Sequence, residues 1–211
     1  MRPHPLPNRV DPFGRIVAVA ARGRFMGNRG GVLHDENHRI VRTHASQSWI
    51  TCVLDFKDRK RTVMSPGTYT ELFFVDEFTA LAAGHRPCFE CRRADAIAFA
   101  DALTHAAGTP SRLRAPQIDV MLKPWRGRGR QTWTAAVACL PPGAMVVLDG
   151  DPHLVVDGLV RPWSFTGYGA AREAPGQPLV VLTPPPTVAA LRAGYRPAGY
   201  DLTLDGAVAA S

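Results

Sequence analysis

Cysteine is scarce in this chain, which has only four in 211 residues. Two of them, Cys88 and Cys91, form a Cys-x-x-Cys pair, so too few remain for the disulfide framework of a small secreted protein. The sequence also lacks any apolar run close to the roughly 18 residues that a membrane span needs. The amino terminus, MRPHPLPNRV, lacks the apolar segment of a secretory signal. We therefore expect a cytoplasmic protein with no membrane partner.

Acidic residues are also few, because 18 Asp and Glu stand against 25 Lys and Arg, for a net charge of +7. The basic residues are concentrated in two segments. Residues 1–64 hold twelve Lys and Arg against five Asp and Glu, and residues 112–130 hold six against one. Clustered arginine is the expected electrostatic footprint of a surface that binds phosphates. The alternative is a solvated arginine-rich face with no partner.

The segment 69–93 organises the rest of the chain. Residues 70–75 are apolar and rich in β-formers, and they predict a strand. A short helix is expected to follow, with Asp76 as its N-cap and Gly84 as the left-handed residue that ends it. Beyond this helix lies the Cys-x-x-Cys pair.

Cys88 and Cys91 are predicted to open a second helix, whose dipole favours negatively charged sulfur. Zinc prefers four ligands in a tetrahedron, and His34 and His38, spaced H-x3-H, are the upstream residues that best supply the other two. The sequence thus predicts a structural zinc site of two thiolates and two imidazoles. Cys52, on a predicted strand, is the alternative fourth ligand. A thioredoxin-like redox pair is a further interpretation of the Cys-x-x-Cys.

The segment AAGHRPCFECRR, with GNRGGVLH upstream of it, resembles the Ada-type zinc-binding module and its relatives attached to nucleases and DNA-uptake proteins. The resemblance covers about residues 25–95. His34 matches the family histidine, His38 falls where the family has cysteine, and Cys88 and Cys91 match the last ligand pair. The resemblance implies a role in DNA processing or repair. It also raises methyl transfer from a phosphotriester to a zinc-bound thiolate as a candidate chemistry.

Both basic segments are predicted to contact nucleic acid, with DNA favoured over RNA. In the second segment a tryptophan lies among cations, a mixture typical of proteins that bind single-stranded or distorted nucleic acid. The same segment is equally compatible with a linker whose tryptophan packs on the domain. The predicted contact residues are Arg59, Lys60, Arg61, Lys123, Trp125, Arg126, Arg128 and Arg130.

The order of these patterns predicts an α+β fold in three parts. Residues 1–110 are expected to form the zinc-binding module, with a β-hairpin inserted over 49–64. A basic connector at 111–132 then leads to a β-rich part at 133–211 that carries one short helix.

The β-rich part contains Asp149, Asp151 and His153, a group that can hold a divalent ion and activate water but is also ordinary turn chemistry. Three functions therefore compete. We favour a zinc-stabilised nucleic-acid-binding protein. The alternatives are a nucleic-acid-directed enzyme, such as a metal-dependent nuclease whose zinc module only docks substrate, and a scaffold protein with a structural zinc that binds no nucleic acid.

Overall fold

A computed structural model of the chain describes residues 4–58 and 62–198. Within these ranges it contains four α-helices and thirteen strands, which confirms the predicted α+β class. The helices are α1 (Glu77–Ala82), α2 (Arg93–Ala107), α3 (Ala115–Leu122) and α4 (Pro185–Arg192). The strands are β1 (Pro7–Val10), β2 (Ile16–Ala18), β3 (Phe25–Asn28), β4 (Ile50–Cys52), β5 (Leu72–Phe74), β6 (Arg86–Pro87), β7 (Trp133–Ala135), β8 (Met145–Leu148), β9 (Asp151–Val156), β10 (Leu159–Ser164), β11 (Gly167–Tyr168), β12 (Arg172–Glu173) and β13 (Leu179–Val181). None of the helices in this part of the chain is long and apolar enough to cross a membrane.

The strands form two sheets. Among the described residues the first sheet has six strands in the order β2-β1-β5-β3-β4-β6, and the second has seven, in the order β11-β10-β9-β8-β13-β7 with β12 paired to β10. Strand β3 runs antiparallel to both β4 and β5, whereas β4 and β6 are parallel. Strand β4 ends at Cys52, and Cys88 directly follows β6.

The segment 69–93 folds largely as its sequence predicts. The Oδ1 atom of Asp76 accepts a hydrogen bond from the backbone N–H of Thr79 at 2.8 Å, which satisfies a free donor at the start of α1. After α1 the chain turns at Gly84, whose φ of 86° is the left-handed conformation that glycine adopts without strain. The prediction that Cys88 opens a helix is wrong, because α2 begins only at Arg93 and the cysteines lie in the turn before it.

Two other predicted elements differ from the observed ones. The hairpin expected over 49–64 is present only as its first strand, β4, which pairs with β3, and the described residues 62–64 form no return strand. The connector expected at 111–132 contains α3, with Ile118 and Leu122 fully buried. Residues 115–122 are therefore part of the core rather than a linker.

Helix α1 lies at the centre of the packing, and all six of its residues are buried. Ala80 packs with the apolar face of the first sheet, Phe78 packs with residues of the second sheet, and Leu81 packs with α2, α3 and α4. The indole N–H of Trp163 donates to the hydroxyl of Thr79 at 2.9 Å. Helix α1 thus contacts both sheets and the other three helices.

Arg130 connects distant parts of this core. Its guanidinium donates hydrogen bonds to the backbone carbonyls of Phe13 at 3.3 Å and Ala82 at 3.4 Å, and also to that of Leu182. Because Arg130→Gln leaves buried carbonyls without donors, we expect it to lower the free energy of unfolding by about 1–3 kcal/mol. Chemical denaturation measures this change. Arg128→Gln, which removes an exposed charge from the same loop, is the control, and identical curves for both variants would contradict the prediction.

Candidate metal centre and basic cleft

Three cysteines come together in the described chain. The Sγ atoms of Cys52, Cys88 and Cys91 all lie within 4.8 Å of one another. The cause is the pairing of β4 with β6, in which Ile50 lies opposite Arg86 and Thr51 opposite Pro87. The next position in this register sets Cys52 beside Cys88, and the Cys88 N–H continues the ladder by donating to the carbonyl of Thr51 at 3.0 Å.

A turn brings the third sulfur to this pair. The backbone N–H of Arg92 donates to the carbonyl of Cys88 at 3.0 Å, which closes the turn across the Cys-x-x-Cys. The N–H of Glu90 points at the Cys88 sulfur, with N and Sγ 3.4 Å apart. The turn therefore places Cys91 over Cys88 before α2 begins.

The spacing of the sulfurs suits a soft divalent ion. Zn–S bonds of about 2.3 Å in a tetrahedron place sulfurs about 3.8 Å apart, so the observed separations need at most a small contraction. Thiolates are the ligands that zinc and other soft metals prefer. Among residues 4–58 and 62–198, no fourth His, Cys, Asp or Glu joins the three sulfurs within the same distance. The three cysteines can thus hold a metal ion.

The protonation of the sulfurs also favours a cation. A hydrogen bond from the Cys52 thiol is the main cause that lowers the pKa of Cys88, to about 5, with help from the backbone N–H groups of Cys91 and Glu90. The pKa of Cys52 is raised, chiefly by the same bond. Burial raises the pKa of Cys91. These contacts favour the thiolate form at Cys88, and a bound metal ion would replace the protons of the other two sulfurs.

The structure does not bring the two predicted histidine ligands to the sulfurs. The ring nitrogens of His34 lie 2.6 Å from the hydroxyl of Thr70 and 3.3 Å from the carbonyl oxygen of Ser65. His38 has its ring parallel to that of His34, with centroids 6.2 Å apart. Neither residue belongs to the sulfur cluster, and Cys52, the alternative ligand, does.

The basic residues of 123–130 have different environments. Arg126 is largely buried, and its guanidinium donates to the carbonyls of Gly84 at 2.7 Å and Gln47 at 2.6 Å. Arg130 is bonded internally, as described above. Lys123 and Arg128 are exposed, and Trp125 is half-buried. The predicted contacts Arg59, Lys60 and Arg61 lie outside the described residues.

The acidic group of the β-rich part is not a metal cluster. The Nε2 atom of His153 lies 2.8 Å from a guanidinium nitrogen of Arg172, which also pairs with Asp149 at 3.3 Å. The Nδ1 atom of His153 lies 3.0 Å from the backbone carbonyl oxygen of Asp151. Arg172 therefore contacts the side chains of His153 and Asp149, and the three residues do not converge on a common point.

A cleft of about 710 Å³ contains basic residues of which sequence reasoning singled out only Arg128. Its lining includes four arginines and no carboxylate: Arg15, Arg29, Arg42 and Arg128, with His44 beside them. Three of these arginines come from the amino-terminal third and one from the loop after α3, so only the fold assembles them. The charge counts of residues 1–64 and 112–130 were the signals in the sequence that pointed to this surface.

Comparison of the chain with protein-family models, with curated proteins and with solved structures finds no match.

Proposed function

We propose that the protein binds nucleic acid, with DNA favoured, along the arginine-lined cleft, and that the three cysteines hold a structural zinc ion that fixes the neighbouring turn. The cleft carries the proposal because four arginines and no carboxylate line it, and only Arg15 among them has an ion-pair partner in the described chain. Polyanions bind through many phosphate contacts, and a groove with cations and no carboxylate is what such contacts need. The resemblance of residues 25–95 to the Ada-type module supports DNA over RNA.

Arg29 gives this cleft a buried charge. Its side chain is fully buried, lies over the ring of Trp49 at 3.9 Å, and donates to the carbonyls of Thr43 at 3.3 Å and Gly14 at 3.0 Å. Burial, the largest cause, and the positive charge of Arg126 lower its pKa to about 9, so it stays cationic. Its hydrogen-bond partners are all neutral, Asp11 is the carboxylate whose charge raises its pKa, and a phosphate in the cleft would add further negative charge.

Two arginines of the cleft are available to a ligand. Arg42 and Arg128 are exposed, and neither forms an ion pair with other described residues. Arg15 is also exposed, but its Nε atom lies 2.5 Å from a carboxylate oxygen of Asp11. Arg42 and Arg128 are therefore the residues whose replacement tests the cleft without removing an internal contact.

Replacing both Arg42 and Arg128 by glutamine is expected to weaken binding and to lower its salt dependence. Removal of two phosphate contacts reduces the slope of log K against log salt concentration by roughly 1.4 for single-stranded DNA and 1.8 for duplex. Fluorescence anisotropy on single-stranded DNA, duplex DNA and RNA of one sequence, at several salt concentrations, measures both effects.

Arg93→Gln with Arg114→Gln is the matched control, because these two exposed arginines lie at the starts of α2 and α3, outside the cleft. An equal loss of affinity in both double variants would mean that net charge alone drives binding. Tight, salt-dependent binding by Arg42→Gln/Arg128→Gln would mean that nucleic acid binds at another surface. Strand cleavage that depends on added metal would favour the enzyme alternative.

A further inference from the structure

We infer that the metal ion at the three cysteines takes its fourth ligand from another molecule, through the cavity beside the cysteines, and that this ligand is a neutral imidazole nitrogen. This rests on the proposed function, in which Cys52, Cys88 and Cys91 hold a zinc ion. It adds the chemical class of the fourth ligand and the side from which that ligand reaches the ion.

No further histidine or cysteine of the chain lies at the three sulfurs. The seven histidines and four cysteines all fall within the described ranges 4–58 and 62–198, and of these side chains only Cys52, Cys88 and Cys91 gather within 4.8 Å of one another. Zinc prefers four ligands, and a site with three protein ligands takes the fourth from outside the chain. A nitrogen or sulfur ligand that completes this site must therefore come from a second molecule.

A cavity of about 400 Å³ adjoins all three cysteines, within the range of roughly 300–1,000 Å³ typical of small-molecule sites. Strand β3 pairs Met26 with Cys52, and both residues line this cavity together with Ile50. Thr51, between Ile50 and Cys52, is fully buried on the opposite face, as the alternation of a strand requires. Because Cys91 is only half-buried, the sulfur cluster can be reached from the cavity side.

The charge of the site favours a neutral ligand. A divalent ion bound by three thiolates carries one net negative charge, and Glu71 and Glu90 line the same cavity, whose described lining residues include no Lys, Arg or His. An anionic fourth ligand would add a like charge at short range, which Coulomb repulsion opposes. Imidazole is the neutral side chain among the usual zinc ligands of proteins. Ile50, Leu54 and Val63 give the cavity apolar surface against which an uncharged ring packs.

Cobalt substitution of the full chain tests this assignment. Elemental analysis first establishes that the protein holds one ion. Cobalt(II) then reports its ligand set through its d–d absorption and the number of thiolates through its sulfur-to-metal charge-transfer band. Imidazole should shift the d–d bands saturably while the charge-transfer intensity of three thiolates stays constant. Azide, an anionic nitrogen donor, should bind about tenfold or more weakly than imidazole.

The imidazole has two sources, which protein concentration separates. One is a small molecule, and the other is a histidine of a second copy of this chain, which offers His4, His44 and His105 as exposed side chains. Without added imidazole, a cobalt spectrum that changes as the protein is concentrated assigns the ligand to a second copy. A spectrum independent of protein concentration, together with a shift on addition of imidazole, assigns it to a small molecule.

Ile50→Phe tests the route of entry. Ile50 stands two residues before Cys52 on the same face of β4, so a larger ring there fills the space beside the ion and should weaken imidazole binding about tenfold or more. All three sulfurs remain, and the metal content should not change. Val120→Phe, at a residue of α3 that is 63% exposed and outside the cavity, is the control and should bind imidazole normally.

The unmodified protein decides the inference even where Ile50→Phe does not fold. A cobalt spectrum that imidazole leaves unchanged, or a charge-transfer band that weakens as imidazole displaces a sulfur, overturns the inference while the bound ion leaves the proposed function standing. Azide binding as tight as that of imidazole overturns the assignment of a neutral ligand. Protein that holds no ion contradicts both this inference and the zinc site of the proposed function, whereas the anisotropy measurements test the cleft independently.

Discussion

Replacement of Cys52 by serine is expected to remove the metal from the purified protein. Cys52 is one of three sulfurs within 4.8 Å of one another, and a serine hydroxyl is a poor ligand for a soft ion. Loss of an outer-shell partner alone lowers metal affinity roughly 10- to 100-fold, so loss of a direct ligand should lower it by about a hundredfold or more. Elemental analysis after dialysis against a chelator measures the metal that remains.

Three further variants identify the ligand set. Cys139→Ser removes an exposed cysteine outside the cluster and should leave the metal content unchanged. His34→Gln and His38→Gln should also retain metal, because neither imidazole lies with the sulfurs. Cobalt substitution adds a count of thiolates through its sulfur-to-metal charge-transfer absorption. Loss of metal in His38→Gln with retention in Cys52→Ser would restore the ligand set of two imidazoles and two thiolates.

Local features of this fold could be predicted from the sequence because short-range chemistry determines them. Asp76 caps α1 through an N–H only three residues away, and Gly84 ends it by its own backbone freedom. Even α3 had a local signal, since Pro116 stands in the first turn of the helix, where proline is favoured. The basic composition of 111–132 hid that signal and led to the prediction of a connector.

The sulfur cluster could not be predicted from the sequence, because no local pattern contains the information that defines it. Cys52 and Cys88 are neighbours only because β4 and β6 pair in parallel, and the sequence does not give the register of strands separated by more than thirty residues. The H-x3-H spacing of His34 and His38 was the more evident pattern for the remaining metal ligands. In the folded chain Thr70 and Ser65 occupy both ring nitrogens of His34 instead.

The composition of the sequence likewise could not distinguish arginines that bond within the fold from arginines that a ligand can reach. Arg126 and Arg130 stand in the same basic run as Arg128, yet they bond to backbone carbonyls while Arg128 faces solvent. The difference depends on which carbonyls the fold leaves without donors. The most basic run of a sequence is therefore not always its most available basic surface.

Replacement of Glu77 by alanine is expected to destabilise the whole protein. Glu77 is fully buried, and its Oε2 atom lies 2.6 Å from a guanidinium nitrogen of Arg92, which is itself almost fully buried. Its Oε1 atom accepts the hydroxyl of Tyr195 at 2.7 Å. Removing Glu77 takes the acceptor from the Tyr195 hydroxyl and leaves the buried Arg92 with Asp95, a partly exposed carboxylate 2.7 Å away, as its remaining ion-pair partner, at a cost of about 3–5 kcal/mol. For a chain of this size the melting temperature should fall by roughly 6–20 °C.

An exposed ion pair gives the matched control. Asp101 pairs with Arg112 at the surface, where both side chains are about half exposed, so Asp101→Ala should cost about 1 kcal/mol or less. Thermal and chemical unfolding of both variants compare the two pairs. The double variant Glu77→Leu/Arg92→Met should be more stable than Glu77→Ala, because it also removes the buried cation that has lost its buried partner.

Metal affinity provides a second measure of the effect of Glu77→Ala. Arg92 follows Cys91 directly, and its N–H closes the cysteine turn on the carbonyl of Cys88. Loss of Glu77 leaves Asp95 as the carboxylate that binds the Arg92 side chain and should loosen this turn, so metal affinity should fall roughly 10- to 100-fold in protein that is still folded. Asp101→Ala should bind metal normally. Normal metal affinity in folded Glu77→Ala would mean that strand pairing and the Cys-x-x-Cys backbone alone hold the sulfurs in place.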